Sequence, residues 1–110
     1  MELHVETAGG SAVIRLNGKL DINTSPDLRK AALKLYSKGK CADLTIDLSG
    51  VSYVDTAGLA TLVEILVAAK ERSAELTVSG ANDRVLYLID VNGLTGFFRL
   101  QGSAEEKLHA

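Results

Sequence analysis

Thr56 is the residue of this 110-residue chain whose position most invites chemistry. It follows Asp55, at the end of a short loop after a β-type apolar run, and opens a long amphipathic stretch. A hydroxyl at a helix start lies over the positive end of the helix dipole. It can serve there as an N-cap worth ~1 kcal/mol, a task that Asp55 could equally perform. It can also accept a phosphoryl group, gaining about two negative charges and three acceptor oxygens. The dipole would tolerate that charge, whereas Asp55 and any acidic or apolar partner would not. A second polar segment, Leu20-Asp21-Ile22-Asn23-Thr24-Ser25, also ends at a helix start. If its strand lies beside the one ending at Leu48, Asp21 and Thr56 share a surface.

Other chemistries find little footing. No G-x-x-x-x-G-K-[ST] run exists to cradle a nucleotide, and Gly9-Gly10 reads as a hairpin turn. His4 and His109 lie near the termini without Ser or Cys partners, so no nucleophile–base pair is expected and the chain is not read as an enzyme. The single Cys41 excludes an internal disulfide or a multi-cysteine metal site. No metal and no cofactor is expected. A formal net charge of −2 opposes the dense basic stripe that nucleic acids require. Arg29, Lys30, Lys34, Lys38 and Lys40 read instead as a solvated helix face. No apolar run approaches the ~18–20 residues of a membrane span. The N-terminus lacks a signal-peptide pattern, so the cytoplasm is the expected compartment.

The elements that must position Thr56 can be read from periodicity. Residues 3–7 and 11–17 alternate as two strands around Gly9-Gly10. Ser25 as N-cap, Pro26 at the first helical position and Asp27 in the first turn start a helix to about Ser37. Leu28, Ala31, Ala32, Leu35 and Tyr36 form its buried stripe. Ala42–Leu48 reads as an inner strand and Gly50–Asp55 as a crossing loop. A second helix follows over about Thr56–Arg72, then a strand over Glu75–Ser79. Gly80–Asp83 caps a third helix, which stops at Asn92-Gly93. Phe97–Leu100 suggests a short edge strand, and a polar tail follows Gly102. A hydrophobic share of 46% supplies one full core, and the length suits one domain. The order implies a single α/β domain with a mixed four- to five-stranded sheet, an N-terminal hairpin and three to four helices.

On the second helix, about 100° per residue groups Leu59, Leu62, Val63 and Leu66 toward the sheet. Ala57, Ala60, Thr61, Glu64 and Ala68 fall opposite. Small side chains there would let a partner's backbone approach beside Thr56. The expected partner surface is therefore Asp21, Asn23, Thr24, Asp55, Thr56, Ala57, Ala60, Thr61, Glu64 and Ala68.

The segments Leu16-Asn17-Gly18-Lys19-Leu20-Asp21, Ile46-Asp47-Leu48-Ser49-Gly50-Val51, Val54-Asp55-Thr56-Ala57-Gly58-Leu59 and Asn92-Gly93-Leu94 resemble the STAS domain of anti-sigma factor antagonists, over about residues 3–101. The resemblance implies that Thr56 is a phospho-acceptor. It implies that the unmodified domain binds an anti-sigma factor, a GHKL-type serine kinase, and so frees a sigma factor. ATP and magnesium would belong to that kinase, and a PP2C-like phosphatase would reset the switch. Asp-Thr-small-Gly-Leu is also similar to the STAS subunit of lipid-asymmetry ABC transporters, which docks on the transporter's ATPase.

Overall fold

The computed structural model describes residues 1–37, 39 and 41–102. The expected polar tail, with His109, therefore lies outside the described residues, as do Lys38 and Lys40. The chain runs β1 (Glu2–Ala8), β2 (Ser11–Leu20), α1 (Ser25–Ser37), β3 (Asp43–Val54), α2 (Thr56–Glu71), β4 (Glu75–Ser79), α3 (Asp83–Val91) and β5 (Arg99–Gln101). The sheet follows chain order, β1 to β5. β1 and β2 pair antiparallel, and every later neighbour pairs parallel. The α/β mixed sheet and N-terminal hairpin are as the sequence implies, with five strands and three helices among the described residues.

Alternation divides the sheet into two faces. Ile14, Leu16, Leu44, Ile46, Leu76 and Val78 are buried on one. Leu28, Ala32 and Tyr36 of α1 and Leu59, Leu62 and Ile65 of α2 join the same core. The other face is polar. There Arg15 donates to Glu6 at 2.7 Å and stands 3.6 Å from Asp47, and Arg99 stands 3.5 Å from Glu75.

The stretch expected as a crossing loop, Gly50–Asp55, is instead strand as far as Val54. Its pairing with β2 slips twice, between Arg15 and Asn17 and between Gly18 and Lys19. Each slip leaves one extra residue on β3, the geometry of a β-bulge, and reverses which side chains face inward. Leu48, Val51 and Val54 are therefore all buried although each stands three positions from the next. In a regular strand, residues three apart point to opposite faces. β2 likewise continues past Asn17 to Leu20, carried along by the same pairing.

The start of α1 also differs from expectation. Ser25 is its first helical residue rather than its cap, is buried, and donates its hydroxyl proton to the Asp21 carbonyl at 2.6 Å. At the C-terminal side, Asn82 caps α3 by accepting from the Val85 amide at 2.9 Å. Its side-chain amide donates to the Val51 carbonyl at 3.3 Å, tying α3 to the bulged part of β3. The last strand is shorter than expected. Phe98 leaves it to enter the core, and Phe97 stays exposed.

Candidate functional site

Because β2 and β3 are parallel neighbours, they end together, with Leu20 opposite Val54. The Asp21 turn and the start of α2 consequently emerge side by side. Asp55 joins them. Its amide donates to the Leu20 carbonyl at 3.2 Å. One carboxylate oxygen accepts from the Gly58 amide at 2.8 Å and the other from the Ile22 amide at 3.1 Å. The helix cap is therefore Asp55, and Thr56 is the first helical residue, exposed to solvent. Of the two candidates for the cap, the carboxylate prevails because its two oxygens can serve two chain segments at once.

Gly58 has its own reason for being glycine. A Cβ there would run into the Leu20 carbonyl oxygen and reach 3.0 Å from the Val54 side chain. Only a bare Cα lets the first turn of α2 settle onto the ends of β2 and β3. The spacing Asp-Thr-Ala-Gly-Leu thus encodes cap, exposed hydroxyl, and close approach in sequence.

The Asp21 turn is built by its own polar groups. Asp21 Oδ1 accepts from the amides of Asn23 at 3.0 Å and Thr24 at 3.2 Å. The Thr24 hydroxyl donates to the Lys19 carbonyl at 2.8 Å and accepts from the Asp21 amide at 2.9 Å. Asp21 and Thr24 are half-buried and committed to holding the loop; Asn23 projects outward. Between them stands Ile22, 69% exposed. An aliphatic side chain held that far into water on a braced loop is a ready contact for an apolar partner. The sequence reading passed over it because a single Ile among polar neighbours carries no periodic signal.

Along α2, the solvent strip differs from expectation. Thr61 and Ala68, expected on the partner surface, are 4% and 7% exposed and face the core. Ala60 and Glu64 are exposed and Ala57 is half-buried. The outward strip is instead Thr56, Ala60, Glu64 and Val67, roughly 60° round the helix from the expected face, with Val63, expected toward the sheet, half-buried at its margin. Thr61 and Ala68 fall out of the accessible set for that reason. This strip and Leu33 of α1 line an open groove of about 590 Å³ that begins at Thr56. Arg29 of α1 stands 3.6 Å from Glu64 of α2 at its side.

The surface is thus apolar with polar margins, and the exposed Thr56 hydroxyl sits at its end. Among the described residues, no group of three or more His, Cys, Asp or Glu side chains could hold a metal ion. Among the described helices, none is long and apolar enough to cross a membrane.

Comparison with known proteins bears on the family and the fold. A family model described as "Mlab, STAS domain" matches residues 3–102. A curated relative from Listeria monocytogenes, an anti-sigma-B factor antagonist, is 33% identical over 84 residues, covering 76% of this chain and 73% of its own. The chain belongs to the STAS domain family of anti-sigma factor antagonists. A second anti-sigma-B factor antagonist, from Staphylococcus aureus, is 29% identical over 107 residues, 96% of this STAS chain and 98% of the relative. Among solved structures, the anti-sigma factor antagonist SpoIIAA superposes in its unphosphorylated form with a TM-score of 0.77 at 15% identity, covering 98% of this chain and 94% of that one. The Bacillus SpoIIAA in its phosphorylated form superposes with a TM-score of 0.78 at 16% identity, covering 98% and 96%. The fold is therefore shared with both forms.

Proposed function

We propose that this STAS domain is a protein-binding switch in which Thr56 decides whether an anti-sigma factor kinase is held. The observation that carries this reading is the division of labour at the start of α2. Asp55 caps the helix, which leaves the Thr56 hydroxyl exposed at the mouth of the groove. With the hydroxyl free, the kinase is sequestered and the sigma factor it restrained is released to direct transcription in the cytoplasm. The kinase then transfers the γ-phosphoryl group of ATP to Thr56 Oγ1. The hydroxyl proton leaves, ADP departs, and about two negative charges remain beside the Asp55 carboxylate. A PP2C-like phosphatase hydrolyses the ester and restores the hydroxyl. The phosphate acts on the contact rather than on the fold, because a helix N-terminus accommodates negative charge. SpoIIAA supports this point: its two forms are equally good matches to the present fold.

In this reading Ile22, Asn23, Thr56, Ala60, Glu64 and Val67 meet the partner directly. Asp21, Thr24 and Asp55 position them. The test is to incubate the protein with its kinase and Mg-ATP and weigh the product. A gain of about 80 Da, absent from Thr56→Ala, is the expected result. Thr56→Glu is expected to weaken kinase binding at least about tenfold, or ~1.4 kcal/mol, by calorimetry. Equal affinities for the two proteins would remove the switch.

One observation favours a second reading. The matching family model is described by the name Mlab, and the Asp-Thr-Ala-Gly-Leu motif is similar to that of lipid-asymmetry transporter subunits. Under that reading the same groove docks an ABC transporter ATPase and Thr56 serves as a contact. Co-purification with such an ATPase, with no change in mass on adding ATP, would select it.

A further inference from the structure

We propose that the protein forms a two-fold dimer by pairing β1 with β1 of a second copy, which extends the sheet across the interface and leaves the Thr56 surface free. β1 is seven residues long, stands at the edge of the sheet, and pairs with β2 without a bulge. It contains no Pro and no Lys, two of the devices that protect an edge from another strand, and its charged residues are Glu2 and Glu6. Gly9 and Gly10 make a two-residue turn with φ of 55° and 88°, so Ala8 and Ser11 close the hairpin as a hydrogen-bonded pair. Alternation from that pair directs the backbone groups of Ala8, Glu6, His4 and Glu2 toward β2. Those of Thr7, Val5 and Leu3 point outward, with no strand beside them among the described residues.

The side chains of the same three residues line a groove of about 650 Å³ between β1 and α1, whose α1 wall carries Ala31 and Leu35 with Asp27, Lys30 and Lys34. Val5 is 43% exposed there. Antiparallel self-pairing can be centred on His4 or on Val5. Centring on His4 sets Glu2 opposite Glu6 of the second copy, and like charges directly opposite are unfavourable. Centring on Val5 stacks the two Val5 side chains, sets Leu3 against Thr7, and sets His4 against Glu6. Charge therefore selects the Val5 register, with a ladder of about six backbone hydrogen bonds. α1 packs on β2 and α2, while α2 packs on β3 and β4, so the Thr56 strip stays away from the new contact.

Sedimentation velocity across a dilution series tests the assembly. A species of twice 11.7 kDa is expected at high concentration. Val5→Lys, which puts two ammonium groups on the symmetry axis, should raise its dissociation constant at least about tenfold. Mild oxidation tests the register. Hydrogen-bonded antiparallel pairs stand about 5.5 Å apart between Cα atoms, which a disulfide spans. Val5→Cys should therefore cross-link and His4→Cys should not, with the parent protein, whose Cys41 is buried, as control. Three results would overturn the proposal: a monomer at every concentration, a dimer indifferent to Val5→Lys, or cross-linking through His4→Cys alone. A monomer would leave the edge to a strand from another protein. Kinase binding and the mass gain at Thr56 are read separately, so failure here leaves the switch standing.

Discussion

At the scale of single residues, the site rests on the sharing of one carboxylate. Asp55 spends one oxygen on the Gly58 amide and the other on the Ile22 amide, so the helix start and the neighbouring loop hold each other through it. Thr56, relieved of that task, faces solvent. The two positions should therefore separate in measurement. Asp55→Ala should lose about 1–2 kcal/mol of stability, in the range of strong N-cap deletions, seen as a lower urea midpoint at unchanged slope. Thr56→Ala should change stability by less than about 0.5 kcal/mol, as surface substitutions do, while abolishing any mass gain with the kinase. If Thr56→Ala were as destabilising as Asp55→Ala, the hydroxyl would be structural and the division of labour wrong.

At the scale of elements, α2 is where sequence and structure part most instructively. Residues 56–71 carry Leu, Val, Ile or Ala on nearly every side, so the apolar pattern does not define which way the helix faces. Packing against β4 and α1 decides it, and Thr61 and Ala68 turn inward. Ala68→Glu should accordingly lower the thermal midpoint by burying a carboxylate. Ala60→Arg should leave the midpoint near that of the parent while weakening partner binding. An Ala68→Glu protein as stable as the parent would reverse the facing assigned to the helix. Strands and turns with regular alternation, such as the β1–β2 hairpin and β4, were legible from the sequence alone. The end of β3 was not. Its buried Leu48, Val51 and Val54 recur every three residues, a spacing that a strand does not generate without the two slips against β2. Those slips depend on a partner strand far away in sequence, so no local window contains them. Within the candidate site, the hydroxyl and its loop were readable because cap and turn chemistry is local. Ile22 and Val67 were not, since their role follows from exposure.

At the scale of the molecule, the domain has two ends with different duties. The end carrying Asp21 and Thr56 bears the surface proposed above for a partner. The opposite end is closed by Tyr36, 3% exposed, whose hydroxyl donates to the Glu75 carbonyl at 3.0 Å and fastens α1 to β4. Burial, then the nearby Cys41, Asp43 and Glu75, raises the Tyr36 phenol well above its ordinary range. A group whose pKa is raised on folding lends stability below its unfolded value, about 10 for tyrosine, and loses it as pH climbs beyond. The contribution of Tyr36 should thus hold to about pH 10 and decline above it. Tyr36→Phe should flatten that alkaline decline, at a cost of about 1 kcal/mol at neutral pH. An identical alkaline profile for Tyr36→Phe, followed by circular dichroism, would exonerate the phenol.

Cys41 gives this closed end an experimental use. It is the chain's sole thiol, lies 6% exposed just before β3 begins, and has its pKa raised chiefly by burial. An alkylating reagent can reach it only when the core opens, so the labelling rate is a clock for unfolding that ticks far from Thr56. Run on modified and unmodified protein side by side, that clock should keep the same time, because a phosphate that edits a surface leaves the interior unaware of it.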